Sequence, residues 1–275
     1  MFIVKLFHIT PSSRSDDEMK EKNARMNTEI ENLPISNGAE KPQCHIHDKV
    51  KDSEVEDIRE NVCANDESLT EFEGEYYCFF HLPTKDKDTG KFEQIIKARL
   101  KADFRYIWFP SDPDLKDHKF FANADFRSAT FSVVASFTRA TFLAGAKFDE
   151  AIFLADADFS FATFSATATA SFTSAIFSGH ASFNGAIFLD ATKFNEAIFS
   201  VDANFYSATF PADASFKSAI FSGDAKFDEA IFSGDAYFPL VTFSAKVDFS
   251  FATFSNVAYF SSTIFEEKSQ ILFIR

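Results

Sequence analysis

Cysteine is scarce: the 275-residue chain has three, Cys44, Cys63 and Cys78. Three thiols cannot all pair, so the count argues against a disulfide framework, and a reducing, cytoplasmic setting is expected. No run of eighteen apolar residues occurs, which excludes a membrane-spanning helix within this sequence. The opening MFIVKLFHIT has no small-residue cleavage site of the kind that ends a secretory signal. Basic residues are in deficit as well. The net charge is −14, split evenly as −7 over residues 1–100 and −7 over 101–275. That balance favours solubility and supplies no basic stripe for direct nucleic-acid binding. Neither a glycine-rich phosphate loop, a serine nucleophile elbow nor an HExxH helix is present, so no enzyme signature stands out.

Phenylalanine is what the chain has in excess. From Phe104 to Phe265 it returns after five and then six residues, filling 29 of 30 slots, with Leu115 in the other. Only the step from Phe164 to Phe172 is longer, by two residues. A small residue stands two before nearly every Phe, as in the series Ala124, Ala129, Ala135, Ala140, Ala146, Ala151 and Ala157. Residues two apart share a face of an extended chain, so Ala and Phe point inward together and the residue between them points out. An amphipathic helix would need apolar returns at three and four, which are missing. The spacing therefore predicts an all-β solenoid of short strands and tight corners, each coil burying its rings against the next. Burial of one Phe contributes roughly 2–3 kcal/mol before the entropy of ordering it.

The eleven-residue unit A-x-F-x-x-A-x-F-x-x-x, as in ANADFRSATFS and GDAKFDEAIFS, resembles the pentapeptide-repeat family over about residues 104–265. That resemblance implies a right-handed quadrilateral β-helix with one repeat per side. Alternating five and six then gives about 22 residues per coil and a rod on the order of 35 Å long at the usual strand spacing. A two-sided coil of eleven residues is the rival geometry, in which two facing rings would crowd a thin core. The two extra residues in FSATATASF should bulge outward at a corner. Gly179, Gly223 and Gly234 fall at FSG corners, where a positive φ is expected. Stacking every second unit should place Ile152, Ile176, Ile198, Ile220, Thr242 and Ile264 on one outer wall. Thr141, Thr163, Ile187, Thr209, Ile231 and Thr253 should line the opposite one. Strand propensity explains such ladders, and a docking face would use them.

Around this 101–265 column the chain divides into a polar tether over 1–41, a small module over 42–100, and a tail over 266–275. The tail, ILFIR, reads as a cap strand or as the start of a further segment. Within KFEQIIKARL, Phe92, Ile95, Ile96 and Leu100 share a helical face. With Tyr106 and Trp108 they form the expected cap over the first coil, since open strand edges invite association. The module also carries two Cys-x-x-His knuckles, Cys44 with His47 and Cys78 with His81. Four soft or borderline ligands in two short pairs suit a closed, structural zinc site, with Cys63 and His45 as spare ligands. An ordinary packed subdomain is the alternative reading of the same residues.

Carboxylate pairs such as Asp149/Glu150 and Asp228/Glu229 sit outward at corners and read as solvated surface, since a convex rod offers no cleft for acid–base work. His118 replaces Ala in an inward slot and reads as packing. The leading expectation is a non-enzymatic scaffold for protein partners, with a second copy of the chain among them. The family resemblance adds an alternative, a nucleic-acid mimic that binds a type II topoisomerase. Lys147, Lys193, Lys217, Lys226 and Lys246 interrupt the acidity that such a mimic needs. A third reading takes the chain as the soluble front part of a membrane-anchored protein.

Overall fold

The computed structural model describes residues 69–78, 80–90, 92, 103–165, 169–266 and 270–273. The expected tether over 1–41, and the helix beyond Phe92, lie outside these residues. A short antiparallel hairpin comes first, β1 (Thr70–Phe72) against β2 (Glu75–Tyr77). Every described strand after it pairs in parallel. Two-residue strands stack into four sheets, one of eight strands and three of seven, which are the walls of a column of about seven coils. The two-sided coil is thereby ruled out.

The chain visits the walls in a fixed order. The first wall begins at Trp108–Phe109 and continues through Thr130–Phe131 and Ile152–Phe153 to Ile264–Phe265. The second begins at Ala135–Ser136, the third at Lys119–Phe120 and the fourth at Ala124–Asp125. First therefore faces third, and second faces fourth. Equivalent residues pair 22 apart, as Ile152 does with Thr130 and Ala203 with Ala225. Across the long step the offset is 24, Ala157 pairing with Ala181, and Ala170 is already back on Ala146. The register thus recovers within one corner, and residues 166–168 lie outside the described set.

The core follows from the slots. Every slot residue from Phe104 to Phe249 is at most 6% exposed, and the Ala slots are nearly all at zero. Within a wall, rings of successive coils stack face to face, for example Phe131 on Phe153 at 4.7 Å and 2°. Between the second and fourth walls the rings interlock edge to face, as in Phe172–Phe183 at 5.3 Å and Phe183–Phe194 at 5.1 Å. This zigzag runs up the axis, and rings of the first and third walls flank it. Ala beside each ring leaves the room that this zipper needs. Residues 271–273 extend the column beyond Phe265: Ile271 pairs with Val247, and the Phe273 ring stacks on Phe249 at 5.2 Å.

Two kinds of corner account for the five–six alternation. After each second- and fourth-wall Phe comes a hydrogen-bonded turn: Ala129 N donates to Phe126 O at 3.1 Å and Ala140 N to Phe137 O at 2.9 Å. Its third residue is left-handed every time, among them Ser128 (φ 55°), Glu150 (58°) and Leu240 (59°). A non-glycine residue there costs of the order of 1 kcal/mol. The column tolerates that cost because the same N–H reaches the next coil, as from Ser128 to Asp149 O at 2.9 Å. The other corner needs six residues, and among the described residues it has no such internal bond.

Gly179, Gly223 and Gly234 sit at these open corners, and the structure corrects the reason expected for them. Among the described glycines only Gly74 and Gly185 have positive φ. At the other three, a Cβ would lie 2.4–2.5 Å from backbone carbon of the coil below, at Ala155, Val201 and Ala212. Close approach of the two coils, not turn handedness, demands glycine there.

Candidate functional site: the outer walls and the Cys78–His81 turn

Since inward side chains are consumed by packing, the available chemistry lies on the outer walls and at the column's first edge. The first wall presents Trp108, Thr130, Ile152, Ile176, Ile198, Ile220, Thr242 and Ile264, one per coil. The third presents Lys119, Thr141, Thr163, Ile187, Thr209, Ile231 and Thr253. Both expected ladders are there, on opposite walls. The second and fourth walls are polar by contrast. Ser136, Asp158, Ser182, Asn204, Lys226 and Asp248 line the second. Lys147, Ser171, Lys193, Ser215 and the stacked pair Tyr237–Tyr259, 4.8 Å apart, line the fourth.

Corner carboxylates do more than meet solvent. At open corners an Asp accepts the backbone N–H one coil above: Asp202 from Asp224 at 3.0 Å, Asp224 from Lys246 at 3.1 Å, and Asp213 from Asp235 at 3.0 Å. Asp156 does the same for the N–H of His180 at 2.9 Å, and Asn123 for Gly145 at 2.9 Å. These N–H groups have no strand partner, so the side chain completes the ladder that the corner interrupts. The signal was present in the recurring Asp of GDA and VDA, one residue before the small slot. Glu150 likewise accepts Ser128 Oγ at 3.0 Å, Glu229 accepts Tyr206 Oη at 2.8 Å, and Asp149 accepts Ser171 Oγ. Each of these bonds ties one coil to its neighbour.

Charged pairs gather near the first coils. Arg105 and Arg127 hold Asp103 and Asp125 in bidentate contacts at 2.7–2.9 Å, and hydrogen bonding to the carboxylates raises both guanidinium pKa values. Arg139 grips Asp117 at 2.5 and 2.7 Å, and that hydrogen bond holds the Asp117 carboxyl below its usual range. Burial lowers the His118 pKa, and its ring stands edge-on to Phe120 at 4.6 Å, a packing role as expected. On the fourth wall, the hydrogen bond from Tyr237 Oη to Asp235 pushes the phenol pKa up to about 12.

Of the four expected zinc ligands, Cys78 and His81 are described, and Cys44 and His47 lie outside the described residues. Cys78 and His81 are brought together. Sγ and Nδ1 stand 3.2 Å apart, with the residues 0% and 3% exposed. One tight turn carries both: Cys78 O accepts the N–H of His81 at 3.1 Å and of Leu82 at 3.0 Å. Lys87 is buried close by. Desolvation pulls its pKa down to about 7, with the neighbouring Cys78 acting in the opposite direction. Among the described residues no group of three or more His, Cys, Asp or Glu side chains gathers as a metal centre.

A family model described as pentapeptide repeats (9 copies) matches residues 148–198 and 194–242. The column has the fold of a pentapeptide-repeat β-helix, and its central coils match that family. The matched stretches cover its central coils, where the alternating five–six spacing is unbroken after Phe172. No curated protein matches the chain. Among the described residues no helix is long and apolar enough to cross a membrane.

Proposed function

We propose that this pentapeptide-repeat protein is a non-enzymatic, cytoplasmic scaffold that presents its outer walls to protein partners. One observation carries the reading: every inward slot from Phe104 to Phe249 is closed to solvent, which leaves the outward ladders and the corners for contact. Two of those walls are β-branched and two polar, so a partner meets a different chemistry on each quarter of the column. Ile220, Ile231 and Ile264 are 39%, 41% and 53% exposed, enough to be covered by a partner.

The test uses the full chain with two paired substitutions, Ile176→Lys with Ile198→Lys on the first wall and Ser182→Lys with Asn204→Lys on the second. Cross-linking and affinity capture should show a partner lost with one pair and kept with the other, at unchanged melting temperature. Capture indifferent to both pairs, or turnover that depends on an outward residue, would overturn the proposal. The topoisomerase-binding alternative has its own check, an unchanged gyrase supercoiling assay at micromolar protein. Lys147, Lys193 and Lys226 on the polar walls speak against it.

A further inference from the structure

We infer that Cys78 and His81 are two ligands of a structural Zn2+ ion, and that the ion holds the turn which closes the first edge of the column. In each later coil, the outward residue of the first wall donates its N–H to a corner carbonyl one coil below. Thr130 donates to Ile107 O at 2.9 Å, Ile152 to Ala129 O at 2.8 Å and Ile176 to Ala151 O at 2.9 Å. Trp108 has no repeat coil below it. Its N–H donates instead to Phe80 O at 3.1 Å. Lys87 Nζ binds the same carbonyl at 2.7 Å and Trp108 O at 2.8 Å. The Phe80 ring lies against Phe92 at 6.2 Å, and Phe92 stands edge-on to Phe109 at 5.6 Å. For the first wall, the segment around Phe80 takes the place of a preceding coil.

Phe80 lies between Cys78 and His81 in the chain, so whatever fixes that pair fixes the cap. Both ligand atoms already converge at 3.2 Å in a buried position. Tetrahedral zinc, with sulfur at about 2.3 Å and nitrogen at about 2.0 Å, sets such a pair roughly 3.5 Å apart. A shift of a few tenths of an ångström therefore admits the ion. Burial keeps a substrate from the thiol, which argues against a nucleophilic role, since reactive thiols are partly exposed.

Metal analysis of the full chain, purified without a metal-binding tag, should find about one zinc per chain, falling at least tenfold in Cys78→Ser. Trp108 is the single tryptophan, so its emission reports the capped edge alone. Chelation should shift that emission and leave the far-ultraviolet signal of the column largely intact. Because Cys78→Ser removes a buried group, the unaltered chain is also loaded with Co2+, which should show a thiolate-to-cobalt charge-transfer band. A zinc-free chain, or a cobalt-loaded chain without that band, would refute the metal. Bound zinc whose removal leaves Trp108 emission unchanged would refute its link to the cap.

Discussion

Phe183→Ala tests the central zipper most directly. The ring is fully buried. It stacks on Phe159 at 5.0 Å and Phe205 at 4.9 Å, and meets Phe172 at 5.3 Å and Phe194 at 5.1 Å edge to face. Truncating a buried Phe costs about 3–5 kcal/mol where the site cannot collapse. Each lost aromatic pair adds roughly 0.5–1.5 kcal/mol beyond area, though the six pairs around this ring, Phe177 and Phe188 included, do not add independently. The expected loss is therefore at the top of that range, about 5 kcal/mol. Phe265→Ala, at a partly buried ring with one stacked partner, Phe243 at 5.4 Å, should cost less than half as much. Because each coil touches only its neighbours, a central lesion should also divide the column into two halves that unfold separately. Urea unfolding followed by far-ultraviolet circular dichroism reads the whole column, and Trp108 fluorescence reads its first coil. The two curves should coincide in the parent and separate in Phe183→Ala. A loss below 1 kcal/mol, or equal losses for Phe183→Ala and Phe265→Ala, would show that the axial zipper is not what holds the coils together.

Gly223→Val should destabilise by about 1–3 kcal/mol, since the new side chain meets Val201 backbone and the two coils must part to admit it; a melting temperature equal to the parent's would contradict the close-approach account. The Tyr237 phenol gives a pH signature. Its folded pKa, about 12, lies above the unfolded value near 10, so the contribution of the Asp235 bond is present below pH 10 and is lost as pH rises through 12. Tyr206, bonded to Glu229, is raised as well, so ultraviolet titration should show more than one late phenol, of which one moves earlier in Asp235→Asn; a titration unaltered by that change would refute the Tyr237 assignment.

What the sequence made legible was whatever repeats. A side-chain period of two within each unit, together with Phe at strict intervals, dictates inward rings, and the four walls follow once 22 residues close a coil. The ladders through Ile152 and Thr141 were readable for the same reason, since a fixed period places equivalent residues on one wall. The corners were less legible. Five and six residues between rings announce two corner types, but only the backbone shows that the shorter one turns through a left-handed residue such as Ser128 or Glu150. Glycine then misleads, because its two uses, positive φ and close approach, leave the same letter in the chain, and Gly223 belongs to the second. Asp202 and Asp224 were obscured by a different cause. A carboxylate accepting an N–H from the next coil looks, in one dimension, like any solvated acid. At the first edge the difficulty is deeper: Phe80 replaces a coil without repeating one, so nothing in its spacing announces that its carbonyl completes the first wall. Tertiary geometry alone joins that carbonyl to Trp108, and it does so from within the turn that pairs Cys78 with His81. Periodicity thus shows how the column is built, while the places where it begins and bends depend on single contacts that no period encodes.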